Sequence, residues 1–311
     1  MAHVHDMIII GGGPGGYTAA LYAARAGLDV VVMEKLSAGG QMTLTSQIDN
    51  YPGYDEGVDG FELGQKMQSG AERFGAVTEL AEVTGVDLTI DPKQIHTSEG
   101  VFYGKTVVVA TGANPRYLGL PEEQDLVGRG VNYCAHCDGP FYKDKTVVVV
   151  GGGNTAVSDA LYLSRIAKKV ILVHRRDTLR ATLIYQEILE KTENIAFYRN
   201  FVVLKLLQND HLTGIILKDV KTGEEMQVAC DGLFVSIGRA PATQLVRQQL
   251  QLDDAGYIVA EESTCTSLAG VYAVGDVRTK DLRQVVTAVA DGAVAAYMAE
   301  QYLSGGSFRR K

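Results

Sequence analysis

The stretch of this 311-residue chain best equipped for chemistry is Cys134-Ala135-His136-Cys137-Asp138-Gly139. Two cysteines separated by two residues can close a small disulfide or open to a dithiol. The carboxylate beside the second can carry a proton for whichever sulfur needs one. Two blander readings use the same residues, half of a zinc site or an inert cross-link. Zinc calls for a second ligand pair, and the remaining cysteines, Cys230 and Cys265, stand singly and far apart. His136 between the two sulfurs either tunes them or is an exposed turn residue without a role.

A dithiol that cycles needs an electron source, and the flanking sequence supplies two sites for one. The apolar run Met7-Ile8-Ile9-Ile10 leads into Gly11-Gly12-Gly13-Pro14-Gly15-Gly16. An Ala- and Leu-rich helix from Tyr17 to Ala26 follows, and then a strand, Val30-Val31-Val32-Met33, that ends in Glu34. Gly11, Gly13 and Gly16 fit the βαβ pattern in which the backbone approaches a pyrophosphate seated at a helix N-terminus. The unit recurs without a gap 140 residues later: Val147-Val148-Val149-Val150, then Gly151-Gly152-Gly153-Asn154-Thr155-Ala156, a helix through Leu163, and the strand Val170-Ile171-Leu172-Val173. Two such units imply two dinucleotides.

The residue closing each second strand separates the ligands. Glu34 can accept the hydroxyls of an adenosine ribose and would repel a phosphate there. Its counterpart is His174, followed by Arg175, Arg176 and, one helical turn on, Arg180. Guanidinium forks match phosphate oxygens, so this cluster predicts a ribose 2′-phosphate and hence NADP(H). Passing two electrons from a nicotinamide to a disulfide needs a mediator that accepts hydride and reduces sulfur, which is flavin chemistry, so the first site is expected to hold FAD.

Around these units the chain reads as an α/β protein of two Rossmann-like, three-layer dinucleotide domains, the second inserted into the first. Gly39-Gly40-Gln41 and Asn50-Tyr51-Pro52-Gly53 are turn-rich loops. Residues 61–75 pattern as an amphipathic helix, and 76–106 as a small antiparallel sheet packed on the parallel one. Two strands end alike, in Ala110-Thr111-Gly112-Ala113-Asn114-Pro115 and in Ile237-Gly238-Arg239-Ala240-Pro241. Proline forbids a helical continuation there, which marks both as crossings between domains. The expected division is 1–114 with 245–311 for FAD, and 115–244 for NADP(H) and the cysteines, the two domains turning about the crossings to alternate partners. In the returning segment the strand Gly270–Val274 ends at Gly275-Asp276, and Arg283-Gln284 precede a helix from about Val285 to Leu303.

Composition narrows the class. A net charge of −8 and a pI near 5.3 argue against a general nucleic-acid binder. No apolar run reaches the length of a membrane span and the opening residues lack a signal pattern, so a cytoplasmic protein is expected, where a standing disulfide is rare.

Taken together, the glycine turns, Gly39-Gly40-Gln41, Asn50-Tyr51-Pro52-Gly53, Ala110-Thr111-Gly112, Cys134-x-x-Cys137-Asp138-Gly139, His174-Arg175-Arg176-x-x-x-Arg180, Gly275-Asp276 and Arg283-Gln284 resemble the low-molecular-weight thioredoxin reductases of bacterial type over nearly the whole chain. The resemblance implies a homodimer that passes electrons from NADPH through FAD to the disulfide and on to thioredoxin. It implies Cys137 beside the flavin in the oxidised state, Asp138 as the proton carrier and Cys134 as the partner sulfur. Gln41, Asn50, Asp276, Arg283 and Gln284 would hold FAD with Gly11, Gly13, Pro14, Gly16, Glu34, Gly40, Thr111 and Gly112. Gly151, Gly153, Asn154, Thr155, Ala156 and His174 would hold the coenzyme, with Arg175, Arg176 and Arg180 on its 2′-phosphate. The family's usual acidic pair after the second glycine turn is Ser158-Asp159 here, which bears on the nicotinamide side. Ferredoxin-dependent relatives lack the second glycine turn and the basic cluster, and both are present. Rival readings are a reductase serving a separate glutaredoxin-like or peroxidase protein, a redox sensor with a structural FAD, and an NADPH oxidase or ferredoxin-NADP reductase, which leaves the cysteines unexplained.

Overall fold

The computed structural model describes residues 3–45 and 47–305. The chain divides into two compact units, one made of the residues up to Asn114 and from Ala240 onward, the other of Pro115–Arg239. Residues 240–244 thus go with the first unit. The crossing segments Ala113–Pro115 and Arg239–Pro241 pair as a two-stranded sheet.

In the first unit, parallel strands run in the order Val77–Leu80, Val30–Glu34, Val4–Ile10, Gly100–Val109 and Val271–Ala273. Ile8 is opposite Val31 on one side and Val107 on the other. Covering both faces explains why these strands are continuous apolar runs rather than alternating ones. On one face the helices Pro14–Arg25 and Val285–Leu303 bury Ala19, Ala20 and Ala23 with Ala295, Ala296 and Ala299. Such small side chains let the helices approach closely. On the other face Leu88 and Ile95 pack against Ile8, Ile10 and Val31. The antiparallel sheet expected at 76–106 is present as Val83–Asp87 and Lys93–Thr97, with two departures. Val77–Leu80 extends the parallel sheet instead, and Gly100–Val109 belongs to both, its first half antiparallel to Lys93–Thr97 and its second parallel to Val271–Ala273. The amphipathic helix spans Gly60–Glu72, started by the Asp59 carboxylate, which accepts the Glu62 N–H at 2.9 Å.

The second unit repeats the plan. Its parallel strands run Ile195–Arg199, Lys169–His174, Thr146–Val150, Gly232–Val235, Val131–Asn132, with the helix Asn154–Leu163 following the glycine turn. A three-stranded antiparallel sheet, Phe201–Gln208, Leu212–Asp219 and Glu225–Ala229, and the helix Leu183–Glu190 complete it. Among the described residues no helix is long and apolar enough to cross a membrane.

Candidate active site

Cys134 and Cys137 are joined as a disulfide with Cα atoms 5.3 Å apart. They sit on a single helical turn, Ala135–Asp138, entered at Cys134, whose Sγ accepts the Cys137 N–H at 3.2 Å. Neither lone cysteine joins a described group of three convergent metal-ligand atoms. Cys230 is buried, which pushes its thiol up to about 12 and leaves it inert.

The turn is fixed from below. Gly139 is pressed onto the helix Asn154–Leu163, where a β-carbon at 139 would stand 3.0 Å from the Tyr162 ring. On the same tyrosine the His136 ring stacks, centroids 4.3 Å apart and planes 22° apart. Tyr142 accepts a hydrogen bond from Asn132 Nδ2 at 2.8 Å and meets Phe234 edge-on. Asp138, the half-buried residue after Cys137, has its carboxyl pushed up to about 6 by desolvation. A carboxyl near that value can hold or release a proton close to neutral pH.

In the same unit the second glycine turn opens the helix at Gly153, whose first N–H groups have no side-chain cap. A β-carbon built at Gly153 meets nothing within 4 Å, so there is open space at the turn. That is the seat a phosphate requires. Gly151 has φ +155, with the Ser236 carbonyl and Ala156 packed against it, so a side chain there would be strained. His174 is buried with its ring against Gly152 and its Nε2 3.1 Å from the Thr178 carbonyl oxygen. Burial, with Arg180, Arg175 and Arg176 nearby, lowers its pKa, although the Thr178 carbonyl works against that. Arg175, Arg176 and Arg180 are exposed. The backbone returns to the turn through the Arg180 N–H, which donates to the Gly152 carbonyl at 2.6 Å. Asn154 Oδ1 accepts the Thr182 N–H at 2.8 Å, while Thr155 is exposed on the first turn. Asp159, one turn on, is buried; desolvation raises its pKa, and the Ser236 hydroxyl donates to it at 2.6 Å.

The first unit carries the matching arrangement. Gly13 caps the helix without a side-chain bond, Pro14 takes the first helical position, and a β-carbon at 13 would again meet nothing within 4 Å. Gly16 packs directly on the Gly11 carbonyl. Glu34 accepts the Gly12 N–H at 2.7 Å and the Leu36 N–H at 3.0 Å, which aims its carboxylate across the turn. Gln41 follows Gly40 on a short 3-10 turn and donates to the Ala113 carbonyl and to Asn114 Oδ1. Thr111 donates to the Ala242 carbonyl at 2.7 Å, and Gly112 accepts the Ala242 N–H. Asn50 donates to Gln284 Oε1 at 2.9 Å, so two expected residues 234 positions apart meet. Gln284 is the N-cap of Val285–Leu303 in a capping box with Thr287. The Arg283 guanidinium lies 4.1 Å from the Tyr257 ring centroid, and its Nε is buried without a hydrogen-bond partner. An orphaned buried donor, an acid at a strand end and an uncapped helix start fit a dinucleotide such as FAD.

One group escaped the sequence reading. Asp291, buried in the C-terminal helix, accepts from Arg278 Nη2 at 2.7 Å and Nε at 2.9 Å, from Lys280 at 2.7 Å and from the Gly275 N–H at 2.8 Å. It therefore holds the turn that presents the half-buried Asp276. The signal was available, because a lone acid in Val-Val-Thr-Ala-Val-Ala-Asp-Gly-Ala-Val-Ala-Ala needs a buried partner.

Comparison with known proteins agrees with this geometry. Residues 5–292 match the family described as pyridine nucleotide-disulphide oxidoreductase. A thioredoxin reductase of Streptomyces clavuligerus is 48% identical over 307 residues, 98% of this chain and 95% of its own length. A bifunctional thioredoxin reductase/thioredoxin of Mycobacterium leprae is 42% identical over 97% of this chain and 66% of its own. The crystal structure of thioredoxin reductase from Streptococcus pyogenes superimposes with a TM-score of 0.91 at 42% identity, covering 98% of this chain and 100% of that one. This chain belongs to the pyridine nucleotide-disulphide oxidoreductase family and, within it, to the thioredoxin reductases.

Proposed function

We propose that the chain is an NADPH-dependent thioredoxin-disulfide reductase in which Cys134, Cys137 and Asp138 carry the sulfur chemistry. The observation that carries this reading is the Cys134–Cys137 disulfide closed beside a carboxyl whose pKa burial moves toward neutrality. FAD, when bound at the first glycine turn, supplies a hydride acceptor for NADPH and an electron pair for the disulfide.

When that pair breaks the S–S bond, one sulfur leaves as a thiolate and the other takes a proton. The Cys137 N–H already points at Cys134 Sγ, which favours the thiolate on Cys134. Cys137 then receives its proton from Asp138. The Cys134 thiolate attacks a thioredoxin disulfide and forms a mixed disulfide. Cys137 returns its proton to the Asp138 carboxylate and attacks Cys134, restoring the original bond and releasing the partner as a dithiolate that becomes the dithiol on taking two protons from solvent.

Arg175, Arg176 and Arg180 would select NADPH by holding its 2′-phosphate, and the uncapped helix start at Gly153 would hold the pyrophosphate. Gly11, Gly13, Glu34, Gln41, Asn50, Asp276, Arg283 and Gln284 would hold FAD. We place the turning point between the units at Asn114/Pro115 and Arg239/Ala240, so that nicotinamide and disulfide use the flavin in succession.

The test is anaerobic single-turnover absorbance. NADPH should bleach the bound flavin far faster than NADH, and oxidised thioredoxin should restore the colour with one disulfide reduced per cycle. Bleaching without reoxidation by thioredoxin would reassign the partner to a glutaredoxin-like or peroxidase protein. No bleaching by NADPH would overturn the donor.

A further inference from the structure

Away from both glycine turns, His3, His5 and Asp29 bring three potential ligand atoms within 4.8 Å of one another. His3 Nε2 is 2.7 Å and His5 Nδ1 is 3.1 Å from the same carboxylate oxygen, Asp29 Oδ2. The two histidines are two positions apart at the start of Val4–Ile10, so the extended chain puts both on one side. Asp29 stands just before Val30–Glu34 and is pinned at both backbone groups: its N–H donates to Asp6 Oδ2 at 3.0 Å and its carbonyl accepts the Met7 N–H at 3.1 Å.

The rings are also held. His5 stacks on Phe102 at 6.3 Å, and His3 meets His5 edge-on at 4.4 Å. Of the two histidines, His3 hydrogen-bonds the Asp29 carboxylate and His5 does not. His5 Nδ1 is buried and has no hydrogen-bond partner, a deficit that costs stability when left uncompensated. A ligand that accepts a lone pair at that nitrogen would remove the deficit.

We propose that His3 Nε2, His5 Nδ1 and Asp29 Oδ2 form a binding site for one divalent transition-metal cation of the zinc type. Two imidazoles and one carboxylate suit Zn²⁺ or Co²⁺, whereas Ca²⁺ and Mg²⁺ prefer all-oxygen shells. Tetrahedral bonds of about 2.0–2.1 Å put ligand atoms roughly 3.3 Å apart. The present 2.7 and 3.1 Å spacings would open toward that value, and the two imidazole nitrogens already lie within 4.8 Å of each other. His3 is 70% and Asp29 43% exposed, which gives them room to move and leaves a fourth position for water. Of the other charged groups here, Asp6 is paired with Lys105 at 2.7 Å, and Lys105 also feels the Asp29 carboxylate, so one cation faces two carboxylates.

The site lies at the N-terminal ends of the parallel strands, roughly 20 Å along the first strand from the glycine turn at Gly11. Bound metal would therefore clamp the first strand to the second without touching the redox chemistry.

The test uses untagged flavoprotein with its disulfide oxidised, stripped with chelator and titrated with cobalt chloride. One Co²⁺ per chain should give visible d–d bands to the red of the flavin, displaced by Zn²⁺, and Zn²⁺ should raise the thermal midpoint. Asp29→Asn and His3→Ala should each weaken binding at least tenfold and abolish the thermal shift, with NADPH-dependent turnover unchanged. Equal cobalt binding by the variants, no binding by the wild type, or a sulfur-to-cobalt charge-transfer band would each overturn the assignment.

Discussion

His174 lies against Gly152 so closely that a β-carbon at 152 would stand 2.1 Å from its ring, just as one at Gly12 would stand 2.8 Å from the Glu34 carboxylate. The pairs are related by the 140-residue repeat. Each glycine lets the strand-end residue lean over the turn, and the identity of that residue changes the ligand. A carboxylate there repels a ribose phosphate. A lone imidazole leaves phosphate recognition to the arginines that follow.

Coenzyme selectivity should therefore reside in the exposed arginines. Replacing Arg175 and Arg176 together by Ala should raise the KM for NADPH by about 10- to 100-fold, the loss of one or two charge-assisted contacts. NADH kinetics should barely change. Gly152→Ala should displace His174 and weaken NADPH while leaving flavin content intact. Steady-state kinetics with both coenzymes check this, and a parallel loss of NADH turnover would point to a folding defect.

The Asp138 carboxyl, pushed up to about 6 by burial, predicts opposite pH limbs in the two half-reactions. Reduction of the disulfide uses the protonated acid and should slow as pH rises through 6. Reoxidation by thioredoxin uses the carboxylate and should quicken over the same range. Asp138→Asn should lose both limbs and lower turnover by about 10²- to 10⁴-fold, the usual worth of a positioned acid–base group. Stopped-flow traces of each half-reaction between pH 5 and pH 8 decide it.

Much of this arrangement was legible because the chemistry sits on local patterns. The glycine turns, Glu34, His174 and the cysteine pair can be read from spacing alone, and the helix Val285–Leu303 has the expected bounds. The antiparallel sheet at 201–229 was missed for a physical reason. Register shifts between Val203 and Lys205, and between Leu207 and Gln208, break the period-two alternation that marks a strand. The role of Tyr162 was hidden because its contact with His136 exists only once the cysteine turn folds back on its helix.

Asp291 should matter most to the stability of the first unit. Burial alone would raise its pKa, but hydrogen bonds from Arg278 and Lys280 hold it below the ordinary carboxylate value. Its contribution is therefore complete above the unfolded carboxylate range near pH 4 and is lost as pH falls through the lowered folded value. Asp291→Asn should cost about 3–5 kcal/mol by leaving two buried cations short of a counter-charge. It should also loosen the Gly275–Asp276 turn, seen as easier flavin loss. Urea unfolding at pH 7 and at pH 3 tests both parts: the gap between wild type and variant should shrink in acid.

The hydrogen bond from the Cys137 N–H to Cys134 Sγ separates the roles of the two sulfurs. Kept after reduction, that donor would stabilise negative charge on Cys134, whereas Cys137 is followed directly by Asp138 as a proton store. In Cys137→Ser, Cys134 should react with iodoacetamide with an apparent pKa below the ordinary value of about 8.5. The same variant should trap a thioredoxin that keeps only its attacking cysteine, activated as an aryl disulfide, as a stable mixed disulfide, because neither protein then holds a second sulfur to resolve it. Cys134→Ser should retain flavin reduction by NADPH, trap no thioredoxin, and alkylate at Cys137 with a more ordinary pH dependence. Trapping by Cys134→Ser instead would reverse the assignment and make Cys137 the sulfur that leaves the turn to meet the partner.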